Sequence, residues 1–98
     1  MNSYARKIRN NPGLTAFQKK VLAAALEIPR GEVRSYAWVA GKIGSRAYRA
    51  VGQALKKNPY APGVPCHRVV SQDGSLGGYS GGPAKKRALL RSEGYLAK

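Results

Sequence analysis

The stretch that most restricts what this chain can fold into is SYAWVAGKIGSRAYRAVGQALKKNP, residues 35–59. Ser35 is placed to cap a short helix over YAWVAGKI, and Gly44 to end it in the left-handed conformation that glycine adopts without strain. Ser45 can then cap a second helix over RAYRAVGQALKKN, which must stop before Pro59 because the residue ahead of a proline disfavours helix. Two short helices with a tight Gly-Ser junction read as a helix-turn-helix. At ~100° per residue, Arg46, Arg49, Gln53, Lys56 and Lys57 fall within one arc of the second helix, and Ala47, Val51, Ala54 and Leu55 on the other side. The helix is expected to have a basic face and a packing face.

Charged faces on ordinary surface helices mix signs, whereas no Asp or Glu occurs between Arg34 and Val70. The whole chain has 18 Lys and Arg against four carboxylates, Glu27, Glu32, Asp73 and Glu93, for a formal charge of +14. That imbalance favours a polyanionic partner, nucleic acid ahead of an acidic membrane surface, and makes the basic arc a phosphate-contacting recognition helix. At 98 residues the chain is long enough for one modest core. Its longest strongly apolar stretch, VLAAALEI, is far shorter than the ~20 residues of a membrane span, and MNSYARKIRNNPG lacks the apolar run of a secretion signal. A cytoplasmic protein is expected, nucleoid-associated if prokaryotic. One cysteine cannot make an internal disulfide, and one Cys with one His cannot supply the four ligands of a structural zinc, so no metal is expected.

Along the chain, residues 1–14 read as a basic, partly disordered lead-in and 15–98 as the functional domain. Thr15 and Gln18 fit a capping box opening a helix, with Phe17, Val21, Ala25 and Leu26 facing the core. IPRGE breaks that helix. After Asn58 the composition turns to Pro and Gly: HRVV is a candidate short strand, SQDG a turn, and SLGGYSGG an irregular loop. The loop lacks the spacing of a P-loop, although Tyr79 between its glycines offers an aromatic face to a flat ligand. A last helix starts near Pro83 and runs to about Glu93 before Gly94. Lys86, Leu89, Leu90 and Glu93 share one face of it, which turns a carboxylate inward. The expected fold is mainly α: a single small winged-helix-like domain with a helix-turn-helix and a short irregular or β active-site segment.

The only cysteine and the only histidine are adjacent, Cys66 and His67. A thiol is mostly protonated at neutral pH and needs a base or positive surroundings to act as a nucleophile. His67 can be that base, through a water if the neighbouring side chains point apart, and an inward Glu93 would fix its tautomer. The residues alone also allow a small buried cysteine beside an incidental histidine.

The string NPYAPGVPCHRVV, preceded by RAVGQALKKNP and followed by GGYSGG, closely resembles the active-site core of the O6-alkylguanine-DNA alkyltransferases, over roughly residues 15–96. The resemblance implies a helix-turn-helix module that enters the minor groove of duplex DNA containing O6-alkylguanine and rotates the damaged nucleotide out of the stack. It implies that Cys66 accepts the alkyl group in a single turnover, with His67, a water and Glu93 assisting thiolate formation. Asn58 matches the asparagine bracing the turn that joins recognition helix to active site. Tyr36 matches the tyrosine that protonates the leaving guanine and contacts the flipped backbone, and Arg49 the arginine that fills the vacated space. Tyr79 and Ser80 match the loop pair lining the pocket. The carbonyls of Cys66 and Val69 would accept the guanine amino group, and Lys86 is placed with the substrate-binding residues. Ser35, Arg46, Gln53, Lys56 and Lys57 complete the expected DNA contacts. The resemblance implies a monomer without cofactor.

Many members of that family carry an additional N-terminal domain, whereas about fourteen residues precede the first helix expected here. The main alternative is an alkyltransferase-like damage sensor that binds alkylated DNA and recruits excision-repair proteins. Such relatives replace the cysteine, usually with tryptophan, and Cys66 favours an enzyme. A helix-turn-helix regulator would prefer an operator sequence. A cysteine hydrolase would leave the charge unexplained.

Overall fold

The computed structural model describes residues 3–61, 63–71 and 82–95. Five helices and a two-stranded sheet follow one another as α1 (Ser3–Asn10), α2 (Ala16–Leu26), β1 (Arg34–Ser35), α3 (Tyr36–Lys42), α4 (Tyr48–Lys56), a 3-10 turn (Cys66–Arg68), β2 (Val69–Val70) and α5 (Pro83–Ser92). The architecture is mainly α, as expected, and α3 and α4 form the helix-turn-helix pair.

Local sequence chemistry sets most of the helix ends. Thr15 Oγ1 accepts from the Gln18 amide while Gln18 Oε1 accepts from the Thr15 amide, the reciprocal capping box. Ser35 Oγ accepts from the Trp38 amide and starts α3. Gly44 ends that helix region at φ +70, and Gly94 follows α5 at φ +89. Pro83 lies in the first turn of α5, where its missing N–H leaves no bond unmade.

The junction before α4 differs from its expected form. Ser45 Oγ accepts from the Ala47 amide only two residues on, and α4 begins at Tyr48 with Ala47 in the N-cap position and no side-chain cap. Ala47 is exposed and is therefore not on the packing face, which consists of Val51, Ala54 and Leu55.

The N-terminal segment is also corrected. Residues expected to be a partly disordered lead-in form α1, which buries Ile8 in the core and stacks Tyr4 at 6.1 Å from Tyr60 in a tilted pair. Two apolar side chains four residues apart suffice to dock an otherwise cationic helix.

The core centres on α2, whose Val21, Leu22, Ala24 and Ala25 are buried against α3 and α4; Phe17 and Leu26 are half-buried at its edge. β1 and β2 pair in parallel, Arg34 opposite Val69 and Ser35 opposite Val70. VV of the HRVV stretch is thus a strand, and Cys66–Arg68 before it is a 3-10 turn. This pairing matters for the site because it sets the start of α3, with Tyr36, beside the end of the cysteine segment. Among the described residues no helix is long and apolar enough to cross a membrane.

Candidate active site

Asn58 shapes the segment that carries the cysteine. It is buried, its Nδ2 donates to the Val64 carbonyl at 2.9 Å, and its Oδ1 accepts from the Tyr60 amide at 2.9 Å. The two bonds close the turn between α4 and the 3-10 turn. Cys66 follows directly, its amide donating to the Val64 carbonyl at 2.8 Å. Its side chain is 4% exposed, and burial pushes the thiol above its ordinary pKa, opposed by a hydrogen bond from Asn58 and by the positive charge of Lys86. An Asn amide has two N–H donors, so the same Nδ2 that holds Val64 can serve the sulfur. The site is built to bury a thiol while softening the cost of ionising it.

Beside it, His67 is fully buried and its Nε2 lies 2.9 Å from Glu93 Oε2. Arg68 clamps the same carboxylate with two bonds, Nε to Oε1 at 2.9 Å and Nη2 to Oε2 at 2.8 Å, and donates a third from Nη1 to the Ile28 carbonyl at 2.8 Å. The Arg68 bonds, assisted by His67, hold the Glu93 pKa down to about 2. Burial lowers the His67 pKa despite the Glu93 bond, with Arg68 and Lys86 adding to the depression. Neutral His67 facing an anionic carboxylate must carry its proton on Nε2, which leaves Nδ1 as the basic nitrogen. The expected histidine and inward carboxylate are therefore brought into contact, with Cys66 the residue before that histidine on the same 3-10 turn, and the protonation state follows from charge.

Arg68 had no role assigned from the sequence. The available signal was an inward carboxylate on α5 that one neutral histidine cannot neutralise, with an arginine directly after that histidine. Of the other carboxylates, Glu27 pairs with Lys42 and Glu32 with Arg34, both at 2.8 Å on the surface. Asp73 lies outside the described residues.

Lys86 comes from α5 and has no exposed surface. Its Nζ donates to the Val69 carbonyl at 2.6 Å and stands 5.9 Å from the centre of the Tyr36 ring. Burial lowers its pKa to about 8, with Cys66 acting in the opposite direction. Lys86 thus links the cysteine segment to α3. Tyr36 in turn lines a shallow cleft of about 240 Å³ with Arg49, Gly52, Gln53 and Lys56 of α4.

Arg46, Arg49, Gln53, Lys56 and Lys57 are all exposed, as a binding face requires, although Arg46 and Lys57 flank α4 and do not line the cleft. Ser35 is engaged as the α3 cap and as a β1 residue. Tyr79, Ser80 and the glycine loop lie outside the described residues.

Residues 16–95 match the family model described as 6-O-methylguanine DNA methyltransferase, DNA binding domain. A methylated-DNA–protein-cysteine methyltransferase of Methanosarcina barkeri is 52% identical over 83 residues, 84% of this chain and 52% of that protein. The crystal structure of Mycobacterium tuberculosis OGT in complex with DNA superposes with a TM-score of 0.79 at 53% identity, over 82% of this chain and 50% of that one. An S. pombe protein in complex with damaged DNA containing O6-carboxymethylguanine gives 0.71 at 36%, over 80% and 75%. The chain spans about half the length of the curated relatives it matches. With its cysteine, histidine and glutamate assembled on a helix-turn-helix scaffold, the chain belongs to the family of the 6-O-methylguanine DNA methyltransferase DNA-binding domain.

Proposed function

We propose that this chain is a single-use alkyl acceptor in DNA repair, in which Cys66 takes the alkyl group from O6 of an alkylated guanine rotated out of the duplex. A carbon attached to a guanine oxygen is a soft electrophile suited to a thiolate, and it can be reached only outside the base stack. The sulfur–carbon bond forms as the carbon–O6 bond breaks, and the electron pair released to the guanine is met by a proton from Tyr36. The Cys66 proton passes through a water to Nδ1 of His67, the nitrogen left basic when Nε2 is committed to Glu93. The thioether product is stable, so each molecule reacts once.

The observation that carries this reading is the buried Cys66 thiol on a turn closed by Asn58, next in the chain to a histidine whose Nε2 is bonded to Glu93. The rest of the machinery fits around it. The carbonyl of Cys66 accepts from the Val69 amide and that of Val69 from Lys86 Nζ, and in this reading both carbonyls also accept from the guanine amino group. Tyr79 and Ser80 line the pocket in this reading.

DNA is held by the exposed face of α4 and the residues flanking it, Arg46, Lys56 and Lys57 contacting phosphates and Gln53 the groove edge, with docking in the minor groove. Arg49 enters the stack as the base leaves. Opening the stack costs about a few kcal/mol, least for a damaged base, and these contacts offset it. The protein acts as a monomer without cofactor. The relatives solved with DNA, one of them with O6-carboxymethylguanine, support the partner.

Reacting the protein with an excess of duplex bearing one O6-methylguanine tests the reading. Repaired DNA should equal the protein added and then stop accumulating. Tight, selective binding of the damaged duplex without repair would instead make the chain a sensor that hands the lesion to excision repair.

A further inference from the structure

Helix α1 lies ahead of the residues matched by the family model, 16–95, yet it is joined to the active-site turn at three points. Tyr60 Oη donates to the Lys7 carbonyl at 3.2 Å and accepts from Asn11 Nδ2 at 2.8 Å, just past the helix end. The Tyr4 ring stacks on the Tyr60 ring. The same Tyr4 ring occupies the space that a β-carbon at Gly63 would need. Ile8 anchors the helix itself, with 2% of its surface exposed.

These contacts grip the segment between Asn58 and Val64 from outside, while Asn58 grips it from inside. Tyr60 belongs to both sets: its hydroxyl is held by α1, and its backbone amide donates to Asn58 Oδ1 at 2.9 Å. That bond fixes which way the Asn58 amide is turned, because only its Nδ2 side can donate to the Val64 carbonyl, which also accepts from the Cys66 amide at 2.8 Å. A series of bonds therefore runs from α1 through Tyr60, Asn58 and the Val64 carbonyl to the backbone amide of Cys66. Without the outer grip, the Tyr60 hydroxyl would have neither of its two partners, and the Tyr60 backbone that donates to Asn58 would be held less firmly.

We propose that α1 is a brace for the nucleophile, with Tyr60 and Asn11 as positioning residues that hold Asn58 on the Val64 carbonyl and so fix the turn from which the Cys66 side chain projects. The inference rests on the transfer role of Cys66 for its biological meaning, but the geometry concerns the thiol itself. Gly63 has a matching part in it, as a larger residue there would displace Tyr4 and loosen one of the three points.

The test is the pH dependence of Cys66 labelling by iodoacetamide, followed by intact mass, in the full chain and in Tyr60→Phe, Asn11→Ala and Ile8→Val. Cys66 is the only cysteine, so the added mass reports one site. Tyr60→Phe keeps the ring contact with Tyr4 and removes only the hydroxyl. Loosening the turn moves the thiol from the surroundings that favour its ionisation, Asn58 and the Lys86 charge, which should slow labelling at pH 8 by about threefold or more and move the profile to higher pH. Asn11→Ala should shift it the same way. Ile8→Val loosens the anchor of α1 without touching the bonded path, and its profile should overlay that of the unmodified protein while its melting temperature falls. Profiles for Tyr60→Phe and Asn11→Ala that also overlay it, or that shift only as far as Ile8→Val does, would overturn the brace. Labelling needs no DNA and no alkylguanine, so this outcome is separate from whether Cys66 accepts an alkyl group from guanine.

Discussion

Replacing Lys86 by methionine takes a charge out of a fully buried position, and the resulting stability change has a sign and a pH window fixed by the site. The folded-state pKa of Lys86 lies near 8, below the ordinary 10.5, because burial disfavours the ammonium form. Between those two values the unfolded chain binds the proton and the folded chain has released it, so stability rises with pH across that window. At pH 7 the buried charge costs the fold about 3 kcal/mol, and at pH 9.5 about 1 kcal/mol, a change of about 2 kcal/mol. The variant also loses the 2.6 Å bond to the Val69 carbonyl. That loss costs about 1–3 kcal/mol at either pH and largely drops out of the comparison between them. The assay is urea unfolding followed by the fluorescence of Trp38, the only tryptophan, at pH 7 and 9.5 in a Cys66→Ser background that removes the thiol's own titration. The stability of the Lys86 protein relative to Lys86→Met should increase by about 2 kcal/mol over that interval. A difference that stays constant within about 0.5 kcal/mol would refute the burial of a titrating lysine in this wall.

Three other outcomes follow from the same site. Glu93 is held at about 2 against an ordinary 4.5, so its contribution, on the order of 3 kcal/mol, is present above pH 4.5 and lost as pH falls toward 2. Acid unfolding of Glu93→Gln should show a shallower dependence there, and an unchanged slope would contradict the Arg68 clamp. Cys66→Ala should abolish alkyl transfer while leaving the affinity for damaged duplex within about twofold, since α4 is untouched; loss of both in a gel-shift and repair assay would make the residue structural. Arg49→Ala should slow repair of duplex DNA more than reaction with free O6-benzylguanine, and equal slowing in stopped reactions would count against a role in base rotation.

Those features whose cause lies within a few residues were readable from the sequence. The capping box at Thr15, the Ser35 cap, the glycine stops at Gly44 and Gly94 and the proline start of α5 each depend on one or two local hydrogen bonds or one backbone angle. The inward Glu93 was readable because Lys86, Leu90 and Glu93 recur at helical spacing, and the first two are fully buried. What escaped depends on partners far along the chain. Helix α1 reads as a basic tail until Tyr60, more than fifty residues away, supplies the surface for Tyr4. The strand at Arg34 and Ser35 is two residues long and exists only through its pairing with Val69 and Val70. Ser45 misled because its hydroxyl accepts from the Ala47 amide two residues on, and α4 begins only at Tyr48. Arg68 escaped because its value is relational: it is the charge that lets Glu93 stay ionised beside a neutral histidine.

The proposed repair role stands on Cys66 as the alkyl acceptor. Its most direct test is intact-protein mass spectrometry after incubation with a duplex containing one O6-methylguanine, followed by peptide mapping. One added methyl per molecule, mapped to the peptide carrying Cys66, is the predicted result. An unchanged mass, with the damaged duplex still bound more tightly than its undamaged counterpart, would contradict it.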